Sequence, residues 1–367
     1  MVRYRKRYRY CYRYCCQHRF ETNPPMSRAR ATVTIRDVAE AAGVSVTTVS
    51  RVLNHKGDVA PDTYQRVQGV IESLGYTSSL AARGMRSHRM NVIGVIMPDV
   101  GDPFAIQVLK GVNRAITERD LDLIVHTGGD LNEESTADRE RRHVSLLAGG
   151  ITDGVIVVTP AATTFSTASP VIVVDPNNVT PDCPVVIATN RSGALSAMEH
   201  LLGLGHRRIG FITGRPELQS AVRRLVGYED ALQQAGIPLD PDLIQAGDYS
   251  RQTGFACAQR LLSLSNPPTA IFAANDESAL GAIQAAQQAG LRVPGDLSVV
   301  GFDNIPEAAY TNPGLTTVDQ FIDDMGYTAA EMLISLVTGN SLEYNVYKMP
   351  TRLVVRDSCG ALAGNAS

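Results

Sequence analysis

No run of apolar residues in this sequence of 367 residues approaches the roughly 18 that a membrane-spanning helix needs, so we expect a soluble protein. The composition also lacks the repeats of collagen and the bias of a long coiled coil. Hydrophobic residues make up 44% of the chain and charged residues 19%, which excludes a wholly disordered protein. At roughly 150 residues per domain, the length predicts two or three domains.

The motifs of the common enzyme classes are missing as well. The seven His residues show no metal-ligand spacing, and no Gly-x-Ser-x-Gly nucleophile motif is present. Gly203 and Gly205 are not followed by the third glycine of a dinucleotide-binding fingerprint. We therefore predict a protein that is not an enzyme and that uses neither a cofactor nor a bound metal.

Cysteine is scarce, and its placement argues against a disulfide framework. Three of the six cysteines lie near the start, where Cys11, Cys15, Cys16 and His18 could be interpreted as a metal cluster. No second ligand pair lies at zinc-finger spacing, and adjacent cysteines rarely bind one structural zinc, so we favour a disordered basic tail. The other cysteines are scattered, which predicts a reducing cytoplasm: Cys183, Cys257 and Cys359.

The net charge of −3 conceals a basic front and an acidic body. Residues 1–20 carry +7 and residues 26–90 carry +4, whereas residues 91–367 carry −13, and Glu21 completes the sum. This asymmetry predicts a module that binds a polyanion, attached to a body of another function. We expect residues 1–31 to be a disordered extension. We hypothesise that Met26 is the true start and that the upstream codons were added by an error in gene calling.

Short helices are predicted directly after this extension. Thr34 is a suitable N-cap with Asp37 at the capping-box position, and Gly43 ends the first helix. Ser45 then caps a second helix over residues 46–54, and the tight turn between the two predicts a helix-turn-helix. A third helix is expected over residues 62–74, after Pro61, with its core face formed by Val67, Val70, Ile71 and Leu74.

The second helix has the properties of a DNA recognition helix. Its outward residues are small or polar, which allows close approach to base edges in the major groove: Val46, Thr47, Ser50 and Arg51. Arg51 could form two hydrogen bonds with a guanine, and Val46 or Thr47 could touch a thymine methyl. Helix pairs with surface Thr and Arg are common, so this geometry alone does not establish DNA binding.

After residue 90 the sequence changes to apolar runs that alternate with amphipathic stretches. The runs are continuous, as in strands buried on both faces of a parallel sheet: 92–96, 123–125, 155–158, 171–174, 209–212, 270–273 and 299–302. The helical stretches lie near residues 104–118, 136–148, 191–204, 219–235, 252–264 and 276–289. About ten strands over this length favour two doubly wound subdomains.

Polar residues follow several of these strands, at the edge where parallel sheets bind ligands. Asn275 or Asp276 alone could simply cap a helix, but five such places favour a shared cleft. The five places are Asp99 with Asp102 to Phe104, Thr159, Asp175, Asn275 with Asp276, and Asp303 with Asn304.

The string DVAEAAGVS at residues 37–45, with TVSRVLN at 48–54 and LGY at 74–76, resembles the lactose-repressor (LacI/GalR) family of bacterial transcription regulators. The resemblance continues through blocks at residues 200–210, 274–281, 298–303 and 315–318. It implies an N-terminal all-α helix-turn-helix domain and an α/β body of the periplasmic-binding-protein type, built from two doubly wound parallel-sheet subdomains. The implied segments are 32–77 for DNA binding, 78–90 for a hinge, and 91–367 for effector binding and dimerisation.

The resemblance implies how the hinge and the first domain bind DNA. In this family the hinge wedges a Leu into the minor groove, whereas here Met85 replaces the Leu, Gly84 weakens the helix, and Ser78-Ser79 replace Pro-Asn. Met85 could still unstack a base step, or it could pack between partner hinges. The implied DNA-binding residues are Thr34, Ser45, Val46, Thr47, Thr48, Ser50, Arg51, Asn54, Tyr76, Ala82 and Met85.

The resemblance also implies an effector site, with hydroxyl-clamping residues Asp175, Arg224, Asn275 and Asp303 and aromatic walls Phe104 and Tyr249. Such a set suits a polyhydroxylated ligand, because each hydroxyl both donates and accepts hydrogen bonds. We therefore expect a sugar or sugar derivative. Arg224 or Arg191 could instead bind a carboxylate or phosphate, although a surface role is stronger for Arg191. Phe321 replaces the proline that usually follows Gln320 in the family.

The implied function is a repressor of carbohydrate-metabolism genes. Two subunits would pair through the body on a near-palindromic operator, and the effector would change operator affinity allosterically. The alternatives are a solute-binding receptor with the same body, which has no use for a helix-turn-helix, and a regulator that senses a non-sugar metabolite. No heptad repeat follows the body, which favours a homodimer over a tetramer. We expect Arg224→Ala to block the effector response without harming the unliganded fold.

Overall fold

The computed structural model describes residues 33–53, 57–76, 89–128, 135–177 and 182–362, and the chain divides into two compact units, Met1–Ser79 and Leu80–Ser367. The predicted N-terminal extension and nearly all of the predicted hinge lie outside the described residues. So do three of the predicted DNA-binding residues, Asn54, Ala82 and Met85, and the expectations for these segments stay predictions.

The first unit contains three helices, α1 (Ile35–Ala42), α2 (Val46–Leu53) and α3 (Pro61–Leu74). The predicted caps are confirmed. The Asp37 carboxylate accepts the Thr34 backbone N–H at 2.6 Å, and the Ser45 hydroxyl accepts the Thr48 N–H at 3.1 Å. The helices enclose a small core whose most buried members are Val38, Val49, Val52 and Val67.

The expectation that Leu74 faces this core is wrong, because its side chain is 37% exposed. Leu74 is the last residue of α3, and Gly75 follows in the left-handed region with φ 60°. That turn of the backbone, which suits glycine, directs the next residue inward. Tyr76 accordingly packs against the core of the unit with 8% of its surface exposed.

The second unit contains two six-stranded sheets. Its strands are β1 (Val92–Met97), β2 (Asp122–Thr127), β3 (Gly154–Val158), β4 (Val171–Val174), β5 (Val185–Ala188), β6 (Ile209–Ile212), β7 (Ile244–Gln245), β8 (Ala270–Ala273), β9 (Ser298–Asp303), β10 (Thr316–Asp319), β11 (Val346–Met349) and β12 (Arg352–Val354). The first sheet has the order β11-β5-β4-β3-β1-β2, and the second has the order β12-β10-β9-β8-β6-β7. All pairings are parallel except that of β10 with β12.

The helices of this unit are α4 (Pro103–Thr117), α5 (Thr136–Ala148), α6 (Asn190–Gly203), α7 (Gln219–Gln234), α8 (Arg251–Leu262), α9 (Asp276–Gln288), α10 (Pro306–Tyr310) and α11 (Ile322–Val337). The six predicted helical stretches are therefore confirmed to within two residues at each end. The predicted architecture is also confirmed: a helix-turn-helix is followed in the sequence by two doubly wound subdomains. No described helix is long and apolar enough to cross a membrane.

One strand prediction needs correction. Strand β2 is half exposed along its length, although its apolar run predicted burial on both faces. Among the described strands it is the edge strand of the first sheet and pairs only with β1, so one side of it lacks a described neighbour. The other six predicted strands are buried throughout.

The chain passes between the two sheets three times, through short segments that we call the crossovers: residues 188–190, 319–322 and 349–352. The first and third crossovers contact each other, since the Thr189 and Thr351 hydroxyls lie 3.0 Å apart and the Thr189 N–H donates to the Met349 carbonyl at 2.9 Å. The third is paired with the second, because the Arg352 guanidinium lies 3.6 Å from the Asp319 carboxylate. The carboxyl ends of the strands of both sheets therefore face a common space beside three linked connections.

Candidate ligand cleft and recognition surface

The six side chains expected to bind an effector lie around one small cavity of about 50 Å³. Phe104 and Asp175 come from the first sheet's subdomain, and Arg224, Tyr249, Asn275 and Asp303 come from the second. The cavity also contacts Asp102, Thr159, Arg215, Leu218 and Ser220.

Four residues of the cavity wall have backbones in the left-handed region. The φ angle is 44° at Thr159, 54° at Asp175, 75° at Tyr249 and 121° at Asp303. Residues other than glycine adopt this region at a cost of order 1–3 kcal/mol, and such residues cluster at functional sites. Three of the four stand where β3, β4 and β9 end, so the strained turns direct these side chains into the space between the sheets.

Arg224 is almost fully buried, with 3% of its surface exposed. Its Nε donates to the Asn190 side-chain oxygen at 2.8 Å, and Nη1 donates to the Ala274 carbonyl. Weaker contacts of 3.4 Å join Nη1 to Asp303 and Nη2 to Gln320. The guanidinium also lies 3.7 Å from the centroid of the Phe302 ring. Most of its donors are therefore used within the protein, which makes Arg224 a support for the cavity wall.

The cavity is lined by three aspartates, and burial favours the protonated form of their carboxyl groups. Burial raises the pKa of Asp303 to about 7, against the favourable charge of Arg224 and with added repulsion from Asp102 and Asp175. Burial also raises the pKa of Asp175, whose carboxylate accepts the Ser220 hydroxyl at 3.0 Å, and that of Asp102. A protonated carboxyl group can donate as well as accept hydrogen bonds, which matches the hydroxyls of a polyol.

Asn275 both caps a helix and lines the cavity. Its side-chain oxygen accepts the Ser278 N–H at 3.0 Å and so caps α9, while its amide nitrogen donates to the Tyr249 carbonyl at 2.9 Å. The Tyr249 hydroxyl lies 3.4 Å from the Ser220 hydroxyl, which carries the wall across to α7. Asn275 thus fixes the aromatic wall while it lines the cavity.

Some of the predicted polar positions do not reach this cavity. Asp276 is fully buried and accepts the Ile305 N–H at 2.9 Å and the Thr317 hydroxyl at 2.5 Å, so it ties α9 to the sheet. Asn304 accepts from Arg356 at 2.7 Å. Arg191 is exposed and pairs with Asp230, in keeping with a surface role.

Ser220, Arg215 and Leu218 were not anticipated from the sequence. Ser220 and Arg224 are four residues apart in α7 and therefore lie on one face of that helix, a spacing that could have revealed the serine. Arg215 and Leu218 lie in the loop before α7, where no periodic pattern distinguishes one residue from another. Within the described residues, no group of three His, Cys, Asp or Glu side chains is placed to hold a metal ion.

The predicted recognition helix presents the expected surface. Val46, Thr47 and Arg51 are exposed, whereas Val49 and Val52 on the opposite side are buried. Ser45 and Thr48 are joined at 2.9 Å through their hydroxyls, and Ser50 is half-buried. Thr34 caps α1, and Tyr76 belongs to the core of the unit. The Arg51 guanidinium lies 3.3 Å from the Asp58 carboxylate.

Two family models match the chain. The model of bacterial regulatory proteins of the lacI family matches residues 34–79, which contain α1 to α3. The model of the periplasmic binding protein-like domain matches residues 198–359, which contain all six strands of the second sheet.

Two curated proteins are similar over nearly their whole length. The HTH-type transcriptional repressor PurR of Aliivibrio salmonicida (strain LFI1238) is 33% identical over 333 residues, which cover 89% of this chain and 98% of that protein. Catabolite control protein A of Priestia megaterium is 32% identical over 333 residues, covering 89% of this chain and 99% of that protein.

Two solved structures are similar as well. The lac repressor dimer bound to operator and the anti-inducer ONPF is 27% identical with a TM-score of 0.79, covering 90% of this chain and 100% of that chain. The complex of the transcriptional regulator CelR with cellobiose is 30% identical with a TM-score of 0.66, covering 89% of this chain and 99% of that chain.

Proposed function

Because this chain belongs to the lacI family of bacterial regulatory proteins, we propose that a sugar or sugar derivative in its cleft controls how tightly its helix-turn-helix binds operator DNA. The chain is a DNA-binding transcriptional regulator with an effector-binding body, and its relatives are regulators rather than enzymes. The genes it controls would be those of carbohydrate metabolism. Binding to operator DNA would occur in the cytoplasm.

The convergence of six side chains from two subdomains on one cavity supports a ligand at this place. The chemistry of the wall favours an uncharged polyol. Asp102, Asp175 and Asp303 outnumber the two arginines, and most donors of Arg224 are already bound within the protein. A phosphate or carboxylate would meet these acidic groups, and Arg215, whose Nε lies 3.8 Å from Glu217, would be the arginine left to bind it. Phe104 and Tyr249 supply the apolar faces against which sugar rings pack.

The crossovers give the cleft a route to the rest of the molecule. Arg224 contacts Asn190 in the first crossover and Gln320 in the second, and the first is joined to the third through Thr189 and Thr351. A ligand that draws the subdomains together would therefore move three connections at once, as in hinge closure. A typical coupling free energy of about 1–3 kcal/mol would change operator affinity about 5- to 150-fold.

Two copies of the chain would bind the operator together. A pair of recognition helices related by a two-fold axis reads two half-sites of a near-palindrome, which is the usual geometry of a helix-turn-helix dimer. The similar lac repressor structure is a dimer on its operator, and the similar CelR structure contains cellobiose. The first of these supports a homodimer for this chain, and the second supports a carbohydrate effector.

Thermal melting of the full chain tests the effector proposal. The panel contains neutral sugars, sugar phosphates, sugar acids and nucleobases, each at high concentration. A ligand present at 100 times its Kd adds about 2.7 kcal/mol of stability, which raises the melting temperature by several degrees. We expect a neutral sugar to give that shift and Asp175→Asn to abolish it.

Asp182→Asn is the matched control, because Asp182 is exposed and does not line the cavity. This variant should melt and bind like the natural protein. Stabilisation by sugar phosphates alone, or a shift that Asp175→Asn leaves unchanged, would contradict the proposed ligand class or the proposed site, respectively.

A further inference from the structure

The recognition helix carries an ion pair on its exposed side. The Arg51 guanidinium Nη1 lies 3.3 Å from the Asp58 carboxylate, and both side chains are about half exposed, at 50% and 53%. Asp58 does not belong to α2, since it stands in the connection that leads to α3. An acidic residue next to the predicted base-reading arginine is unexpected on a surface that approaches phosphates, where each negative charge opposes binding.

The backbone that follows Asp58 is fixed by packing. Val59 lies against the core of the first unit, and the Ala60 carbonyl accepts the Tyr64 N–H at 2.9 Å as α3 begins at Pro61. The Asp58 carboxylate is therefore attached to a rigid part of the unit. On the other side of the pair, Arg51 is anchored by α2, whose opposite face is buried.

An arginine held in this way keeps the donors that base reading needs. The guanidinium has five N–H groups, and the pair with Asp58 involves one nitrogen, Nη1. The remaining donors can reach the O6 and N7 atoms of a guanine. A free arginine would have to lose the entropy of its rotamers when it binds the base, and a tethered one has lost part of it beforehand.

We propose that Asp58 is a positioning residue for sequence recognition, which holds Arg51 in the orientation that reads a guanine. The inference depends on the proposed reading of bases by α2. Asp58 affects both the specific and the nonspecific affinity for DNA. It favours the specific complex by orienting Arg51, and its negative charge weakens nonspecific contact with phosphates. Both effects increase the ratio of specific to nonspecific affinity.

The test uses the full chain and a library of duplexes with a randomised central sequence. The natural protein first selects its preferred duplex, and Arg51→Ala identifies the base pair whose preference is lost with that side chain. The affinity ratio between the selected duplex and a duplex changed at that base pair is then measured by gel shift. We expect Asp58→Asn to lower this ratio about 2- to 5-fold, the range of an exposed ion pair.

Three further variants separate positioning from charge and from folding. Glu72→Gln removes the same charge from an exposed position near the end of α3 and should leave the ratio unchanged. Asp58→Glu keeps the carboxylate and should restore most of the discrimination. In Arg51→Ala, the additional change Asp58→Asn should have no effect on that base pair. Melting curves of all variants should superimpose with that of the natural protein, because these side chains are half exposed or more.

A discrimination ratio that Asp58→Asn leaves unchanged or increases would overturn the role of Asp58 while leaving the function of the protein intact. A loss of equal size in Glu72→Gln would overturn it too, since net charge alone would then account for the effect. If the natural protein selected no sequence at all, the reading of bases by α2 would itself be wrong, together with the role of Asp58.

Discussion

The Arg224 side chain donates from Nε to the side-chain oxygen of Asn190 at 2.8 Å, and this bond joins the wall of the cleft to the first crossover. Asn190 is the first residue of α6 and is buried with 6% of its surface exposed. Arg224 is buried to a similar degree, so neither group can exchange its partner for water. The residue expected from sequence to bind a ligand is thus also part of the connection between the subdomains.

Replacing Arg224 with Ala should therefore destabilise the protein, contrary to the expectation from sequence that the fold would be unharmed. Removing one member of a buried charged pair leaves the others unsatisfied and costs about 3–5 kcal/mol. In a domain of this size, that loss lowers the melting temperature by roughly 10 °C. The neighbouring Arg223 is exposed, so the free energy of unfolding of Arg223→Ala should lie within about 0.5 kcal/mol of that of the natural protein. Equal melting temperatures for the two variants would refute the supporting role of Arg224.

The stability contributed by Asp303 should depend on pH. Its pKa is raised to about 7 by burial, whereas an unfolded aspartate titrates near 3.8. The folded protein thus holds a proton that the unfolded chain releases, so this contribution is full below pH 3.8, declines as the pH rises, and is lost above about 7. Asp303→Asn cannot ionise, so its stability relative to the natural protein should increase between about pH 4 and 7, by up to about 1.4 kcal/mol per pH unit, and level off at higher pH. Chemical denaturation across that range measures the difference, which should be flat for Asp182→Asn. A flat difference for Asp303→Asn would contradict the raised pKa.

Asp153 should transmit ligand binding to the DNA-binding unit. Its carboxylate accepts the backbone N–H groups of Met90, Asn91 and Val92 at 2.6, 2.7 and 3.4 Å, where the chain enters β1. Hydrogen bonds to charged groups contribute about 1.5–3 kcal/mol. We expect Asp153→Ala to reduce the effect of ligand on operator affinity at least 5-fold, while ligand affinity changes less than about 2-fold. Fluorescence anisotropy of labelled operator with and without ligand measures the first, and calorimetry the second.

Glu199→Ala is the control for that experiment, because Glu199 is exposed on α6 and should leave both quantities unchanged. If Asp153→Ala retained the full response of operator affinity to ligand, the bonds at the start of β1 would have no part in the coupling.

Gly326 should not tolerate a side chain. A Cβ atom there would lie 2.0 Å from the Val108 carbonyl oxygen, and one at Gly111 would lie 1.8 Å from the Asp323 carbonyl oxygen, so α4 and α11 cross with backbones in direct contact. Gly326→Ala must separate the helices and should cost about 1–3 kcal/mol or more. A Cβ atom at Gly203 in α6 would meet no other atom within 4 Å, and Gly203→Ala should be neutral or add up to about 1 kcal/mol. Thermal melting compares the two, and similar melting temperatures would exclude a tight crossing.

Local chemistry determined the elements that the sequence predicted correctly. Thr34, Ser45 and Gly43 define the helix-turn-helix through hydrogen bonds that span only a few residues. The buried strands could be identified because parallel strands covered on both faces need continuous apolar runs. The same logic fails for β10, whose polar Thr316 and Thr317 are fully buried. Their hydroxyls find partners, at Arg356 and Asp276, that lie about 40 residues away in sequence.

Tertiary structure alone decided which groups share the cleft, whether the acids among them are protonated, and what Arg224 contacts. The sequence places Asp175, Arg224 and Asp303 after strands or in a helix, but it does not reveal that burial raises the pKa of both acids or that Arg224 is held by two crossovers. Desolvation and pairing depend on neighbours that are distant in the chain. The same holds for the exposure of β2, since an edge strand is defined by the absence of a neighbour on one side within the described sheet.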